Sequence, residues 1–394
     1  MDAVEYVSES SSPLRVEIRD RLADIDPQQW DALTGGQEPF LRHVFLDGLE
    51  RHGCLGRQYG WFPQHVLIFR GEQLVAAAPC YGKTNNYGEF VFDWAWQSAW
   101  EQHGHPYYPK LVISVPYTPA TGSRLLVHPA AADADALRRQ LLEVALERGR
   151  VLGASGVHAL FLPTQEVELA LQQGWFQRMG CQYHWHNAGY ADFTDFLEAL
   201  NAKRRKNVKR ERRRVAEQGI TFRVRDGHSA EAADWIRFHR FYQDTFHRHM
   251  GTPTLSEAFF LQTASALGRQ VVLFEALRDE EILAAALCYR GADTLYGRFW
   301  GCQEDLPDLH FETCYYQGIE YCIQEGIARF EPGAQGEHKI PRGFLPRPTA
   351  SVHAVLTPGF ARAVQDFCAR EAVAMQERCT QLLQHSPYRQ DTEV

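Results

Sequence analysis

The chain has 394 residues, 45% of them hydrophobic and 23% charged, with a formal charge of −8. That length exceeds one ordinary core and predicts two domains of about 150 to 200 residues each. The acidic balance excludes a protein that coats a nucleic-acid backbone over a broad surface, and the lack of any long apolar run excludes a membrane-spanning helix.

In chain order, residues 1 to 12 read as a loose tail, with early acids and without the apolar stretch of a secretion signal. The nine Cys are scattered without a CxxC pair. Reduced thiols in a cytoplasmic protein, with no metal site, are therefore expected. LRVEI reads as the first strand. DPQQWDAL opens a helix with Asp26 as N-cap and Pro27 at the first helical position. FLRHVFLDGLERHG has helical spacing up to Gly53, and HVLIFRGEQLVAAAPCYGKT is a hairpin across a polar turn. KLVISVPYTPATGSRLLV gives a strand and a Pro/Gly loop. A helix (ADALRRQLLEVALERGRVLG), a strand (VHALFLP), a short helix (EVELALQQGW) and a strand (CQYHWHN) follow.

The second half repeats this order. TFRVRD is a strand, WIRFHRFYQDTFHRHM and SEAFFLQTASAL are helices, and VVLFEALRDEEILAAALCYRGADTLYGRFWG is a three-strand meander. HFETCYYQGIEYCIQEG is a helix, ARFEPG a strand, TASVHAVL a last strand and FARAVQDFCAREAVAMQERCTQLLQ a closing helix. HVLIFRGEQLVAAAPCY pairs with VVLFEALRDEEILAAALCY, and the self-similarity predicts two mixed α/β units in tandem. They are expected at 13–190 and 191–394, the second entered through DFTDFLEAL and the basic run KRRKNVKRERRR.

This element order resembles that of the GNAT acyltransferase fold. The stretches EFVFDWAWQSAW, YYPKLVISVPYTPATGSRLLV, KRRKNVKRERRRV, LYGRFWGC, LHFETCYYQGIEYCI and RFEPGAQGEHKIPRGF resemble the FemAB-like family of predicted N-acyltransferases, the peptidoglycan biosynthesis/recognition proteins. The resemblance implies an α/β fold of mixed sheets in tandem GNAT-like domains. It also implies transfer of an acyl or aminoacyl group from an activated donor to a small-molecule or peptide amine. Acyl-CoA is favoured as the donor substrate, with no permanently bound cofactor. The alternatives are aminoacyl-tRNA, as in the Fem transferases, or a non-catalytic binding module on a degenerate transferase fold.

Acyl transfer to an amine needs a base, donors for the oxyanion and a cradle for the donor. The Gly-rich stretch from Glu331 to Lys339 follows a strand and offers Glu337 and His338 as bases, Gln335 in the pocket and Lys339 for phosphate or oxyanion. His310 and Glu312 begin a helix. The resemblance places that helix beside the donor pyrophosphate, although the usual Arg/Gln-x-x-Gly-x-Gly/Ala loop is missing before it. In the first half, Thr118, Thr121, Gly122, Ser123 and Arg124 form a loop with hydroxyls, backbone N–H groups and a cation suited to phosphate. Tyr87, Glu89, Asp93 and Trp94 suggest an acidic, aromatic wall for an amine, with Tyr296 and Arg298 as its partner in the second half.

Nine of the 41 Lys and Arg lie in KRRKNVKRERRR, with Glu211 among them, so the rest of the chain is more acidic than the net charge indicates. Nine bases on one helix spread over several faces and cannot all reach one ligand. Lys206, Asn207 and Arg210 are the expected contacts to a phosphate-bearing donor or an anionic acceptor drawn there by the local positive field.

Overall fold

The computed structural model describes residues 13–334 and 336–389. The architecture is mixed α/β with two sheets. The expected tail, residues 1 to 12, lies outside the described residues.

Local sequence sets the helix starts. Asp26 accepts from the Gln28 N–H at 2.8 Å ahead of Pro27–Ala32, and Asn201 accepts from Arg204 N–H at 3.1 Å to open the basic helix Ala202–Glu217. Ser256 caps Glu257–Leu267, and Glu231 with Asp234 forms a reciprocal cap on Ala232–Arg248. The aromatic stretch after Asp93 was read only as pocket material, yet Trp94–Gln102 is a helix that buries Trp96 and Trp100.

The smaller sheet has four strands: Leu14–Arg19, His65–Arg70, Gln73–Ala78 and Leu126–Val127. Pro79 interrupts the third, and Cys80–Lys83 continues into the larger sheet. Proline cannot donate to a ladder, so the break falls where the chain changes sheets.

The larger sheet runs through eleven strands of both halves. At its centre the halves exchange strands. Leu345–Val355 lies between Gly156–Leu160 and Phe176–His186, antiparallel to both. In return, Phe176–His186 lies between Leu345–Val355 and Arg329–Glu331.

Three large clusters fill the layers. Ala134–Val151 and Thr164–Gln172 cover Leu111, Ile113, Val157, Ala159 and Val352 on one face. A second core joins the halves: Phe40 meets Tyr289 at 5.0 Å and Phe45 meets Phe259 at 5.5 Å between ring centres. A third packs Phe196, Val208, Tyr316 and Ile319 against Phe274 and Phe330. Among the described residues no helix is long and apolar enough to cross a membrane.

Candidate active site

In the second half the parallel pairing is short. Thr294–Cys302 runs parallel to Arg329–Glu331 through the pairs Thr294↔Arg329, Leu295↔Phe330 and Tyr296↔Glu331, and the pairing stops there. Pro332 cannot continue the ladder. One residue later the register with the neighbouring strand shifts: Cys288 faces Gly297 and Leu287 faces Phe299, so Arg298 is an extra residue in a bulge.

Glu331 is the last residue of that pairing, 6% exposed. Burial pushes its carboxyl up to about 7, against the pull of Arg329 and the Thr121 N–H. Its Oε2 has no hydrogen-bond partner among the described residues. Glu38 approaches from the other half, its pKa also raised by burial, with Arg124 opposing. His184 is buried nearby, its Nδ1 3.9 Å from Glu331, and burial lowers it to about 3. From the sequence, Glu331 stands only as the start of the Gly-rich stretch, without a role, and Glu38 and His184 are not among the candidates. The available signal was an acid as the last residue of an apolar strand, just before Pro-Gly.

The turn Glu337–Arg342 follows, with Lys339, Ile340 and Arg342 buried. Lys339 is buried, donates from Nζ to the Gly333 carbonyl at 2.8 Å, and is lowered by burial to about 8. His338 Nε2 is 2.9 Å from the Tyr315 hydroxyl. His310 packs edge-on to Trp300 at 5.3 Å and to Tyr315 at 5.4 Å, and burial lowers it to about 4. These candidates therefore share one aromatic patch. Glu337 instead lies at the surface, paired with Arg378. Glu312 faces the basic helix: Arg212 holds its carboxylate at 3.1 Å and Gln317 at 2.8 Å. Gln335 lies outside the described residues.

The first-half loop is held mostly by protein groups, with the Arg124 Nε buried and unpartnered among the described residues. Arg124 donates to the carbonyls of Ala120 at 2.6 Å and Ser123 at 2.9 Å. The Ser123 hydroxyl and the Arg124 N–H are both held by Glu166. Gly122 N–H bonds Phe161, and the Thr118 hydroxyl donates to Pro116 at 3.0 Å. The loop acts as a brace that brings Thr121 to Glu331.

The expected acidic wall is also differently arranged. Glu89 and Asp93 turn inward onto Lys110, which is fully buried and 2.7 Å from Glu89. A buried carboxylate pair needs that cation, because isolated charges avoid interiors. Trp94 is 56% exposed beside Phe92, and the Tyr87 hydroxyl donates to Thr252 at 2.8 Å. Tyr296 is buried against Phe40 and bonds Glu38. Arg298 donates to the Tyr117 carbonyl across the two halves, and burial lowers it to about 10.

On the basic helix, Val208, Glu211 and Val215 face inward. Glu211 is bound by Arg342 at 2.9 Å and by the Tyr316 hydroxyl. Arg212, Arg213 and Arg214 pair with Glu312 and Glu320, Glu217, and Asp308 respectively. Lys203, Arg204, Arg205, Lys206, Lys209 and Arg210 make no ion pair among the described residues, and Asn207 is half-buried between them. No group of three or more His, Cys, Asp or Glu is placed to hold a metal among the described residues.

The fold is similar to that of several solved structures. The crystal structure of FemX matches with a TM-score of 0.54 at 10% identity, over 86% of this chain and 98% of that one. The C-terminal domain of a putative lysylphosphatidylglycerol synthetase from Agrobacterium fabrum matches with a TM-score of 0.52 at 12% identity, over 90% and 97%. L-PGS from Bacillus licheniformis matches with a TM-score of 0.51 at 12% identity, over 88% and 96%. No curated protein matches the sequence. The family match covers residues 21–390, nearly the whole chain: the protein belongs to the FemAB-like family, described as peptidoglycan biosynthesis/recognition.

Proposed function

We propose that the protein is an N-acyltransferase built from two GNAT-like units, 13–190 and 191–394, with its reaction centre in the second. The observation that carries this reading is the buried Glu331 carboxylate, with one oxygen unpartnered among the described residues, where the parallel pairing ends. The donor acyl group enters between the strands. In this reading the bulge at Arg298 and the positive charge of Lys339 serve its carbonyl oxygen. The acceptor amine attacks the acyl carbonyl carbon and Glu331 takes the amine proton. The bond from that carbon to the donor's leaving group then breaks, and the leaving group takes the proton back from Glu331. A base near 7 is matched to this task at neutral pH.

Acyl-CoA is the favoured donor, and a small molecule or peptide bearing an amine is the acceptor. His310, His338 and Lys339 bound the donor side, with Lys206 and Arg210 drawing its phosphates by their local positive field. The test is thiol release from a panel of acyl-CoA donors and amines. Glu331→Gln is expected to lose about 10²- to 10⁴-fold in rate. Equal rates for the wild type and this variant would remove Glu331 from the chemistry, and no turnover across the panel would favour a binding module.

The six unpaired bases of the helix support a second reading, aminoacyl-tRNA as donor, because a long polyanion engages many cations at once. Transfer from acyl-CoA in RNase-treated protein separates the two.

A further inference from the structure

A second group of reactive side chains lies on the exchanged strands of the larger sheet, distinct from Glu331 and its neighbours. Ser351 and His353 are two apart on Leu345–Val355 and so share a face. The Ser351 hydroxyl is 2.8 Å from His353 Nε2, and His353 Nδ1 is 2.6 Å from His158 Nδ1. His158 is the register partner of His353, and Arg178 is the register partner of Ser351. All three members of the Ser-His-His line are buried, at 5%, 1% and 2% exposure.

One proton occupies the Nδ1···Nδ1 contact. When His353 carries it, His353 Nε2 presents its lone pair to Ser351, and His158 accepts and fixes the ring. That is the arrangement of a nucleophile, a base and an orienting group. Arg178 completes it. Its Nε and Nη2 are held by Glu371 at 2.6 and 2.8 Å, and Nη1 is buried without a partner among the described residues.

Ser351 and Arg178 both line a cavity of about 350 Å³. Phe90, Phe92, Phe161 and Met375 supply its apolar walls. Phe90 has φ 59° and Phe161 φ 58°. Two bulky residues in the left-handed region at one cavity are costly, and such outliers gather at ligand clamps.

We infer that this cavity is a second catalytic site, an esterase or thioesterase centre for apolar acyl groups, with Ser351 as nucleophile, His353 as general base and Arg178 Nη1 as oxyanion donor. Ser351 Oγ attacks the acyl carbonyl carbon while its proton passes to His353 Nε2. The tetrahedral oxyanion faces Arg178. Its collapse breaks the bond to the alkoxide or thiolate, which leaves with the proton from His353. Water then attacks the acyl-Ser351 ester by the same route, giving a carboxylic acid and free Ser351. The inference goes beyond the proposed amine acylation and requires neither its donor nor Glu331.

The full-length protein is treated with a fluorophosphonate probe and, separately, with p-nitrophenyl octanoate, without acyl-CoA or amine. One adduct on Ser351 by peptide mapping and a burst of p-nitrophenol are expected. Ser351→Ala and His353→Asn should each lower labelling at least about 100-fold at unchanged melting temperature. His158 is a positioning residue: His158→Gln keeps an acceptor beside His353 and retains labelling, whereas His158→Phe loses it. An unlabelled wild type, an adduct elsewhere, or full labelling of Ser351→Ala overturns the inference. If the variants do not fold, the position of the wild-type adduct decides alone.

Discussion

Tyr296 and Glu331 form the last pair of the parallel strands in the second half, and the ladder stops there, before Pro332. The pairing places a buried carboxylate at a gap in the backbone ladder, where burial raises it to about 7. The first expectation follows from that value. The rate of acyl transfer should rise through pH 7 as Glu331 ionises, and Glu331→Gln should lose both the rate and that limb. A pH profile of turnover for both proteins checks it.

The same shift has a stability consequence. The folded pKa of Glu331 lies above its ordinary value, so the folded state binds the proton more tightly than the unfolded one. Stability therefore falls as pH rises from about 4.5 to 7 and is level above that range. Glu331→Gln removes the cost of a buried charge and should be more stable than the wild type at pH 8, by at most about 3 kcal/mol, and nearly equal at pH 4.5. Thermal melts at the two pH values measure the difference.

Glu211 should be far more important to stability than its neighbours in the basic helix. It is the buried partner of Arg342 and Tyr316, and Arg342 in turn lies over the Phe311 ring at 3.4 Å. Glu211→Ala leaves the Arg342 charge uncompensated, at a cost of about 3 to 5 kcal/mol. Glu217→Ala breaks only the exposed contact to Arg213 and should cost less than about 1 kcal/mol. Urea unfolding of both variants tests the contrast.

Lys110 holds Glu89 and Asp93 together. Burial works against the Asp93 charge, and Lys110 more than offsets it, leaving Asp93 below its ordinary value. Lys110→Met would put two buried carboxylates side by side with no cation between them. The variant should lose about 3 to 5 kcal/mol near neutral pH. The deficit should shrink in acid, as the orphaned carboxylates take up protons, and melts from pH 8 to pH 5 would show it.

The unpaired bases should influence encounter and leave folding alone. Replacing Lys203, Lys206, Lys209 and Arg210 by Gln should leave the melting temperature unchanged. The apparent KM for an acyl-CoA donor should rise at low salt, and the difference should vanish at high salt, where surface charges are screened. Kinetics across a salt series checks this.

Much of the fold was legible because strand and helix periods, caps and Gly-Pro breaks are local. Asp26, Asn201 and Ser256 cap helices where side-chain chemistry favours it. Strand partners are not local. CQYHWHN shows the alternation of a strand, but nothing in it says that the next strand in the sheet comes from residues 345–355. The site was half legible for the same reason. The stretch from Glu331 to Lys339 stands out by composition, yet only the fold selects the buried Glu331 and Lys339 over the exposed Glu337. Glu89 and Asp93 looked like a wall for a cation, and the cation they hold is Lys110 of the protein itself.

The strand exchange makes each half the other's missing piece. Cut near residue 190, either fragment would expose an open sheet edge where its counterpart's strand belongs, and such edges recruit other chains. Each fragment made alone should therefore self-associate, and the two made together should reassemble into a working whole. In the intact chain the halves should melt in a single cooperative transition despite a length that ordinarily gives two.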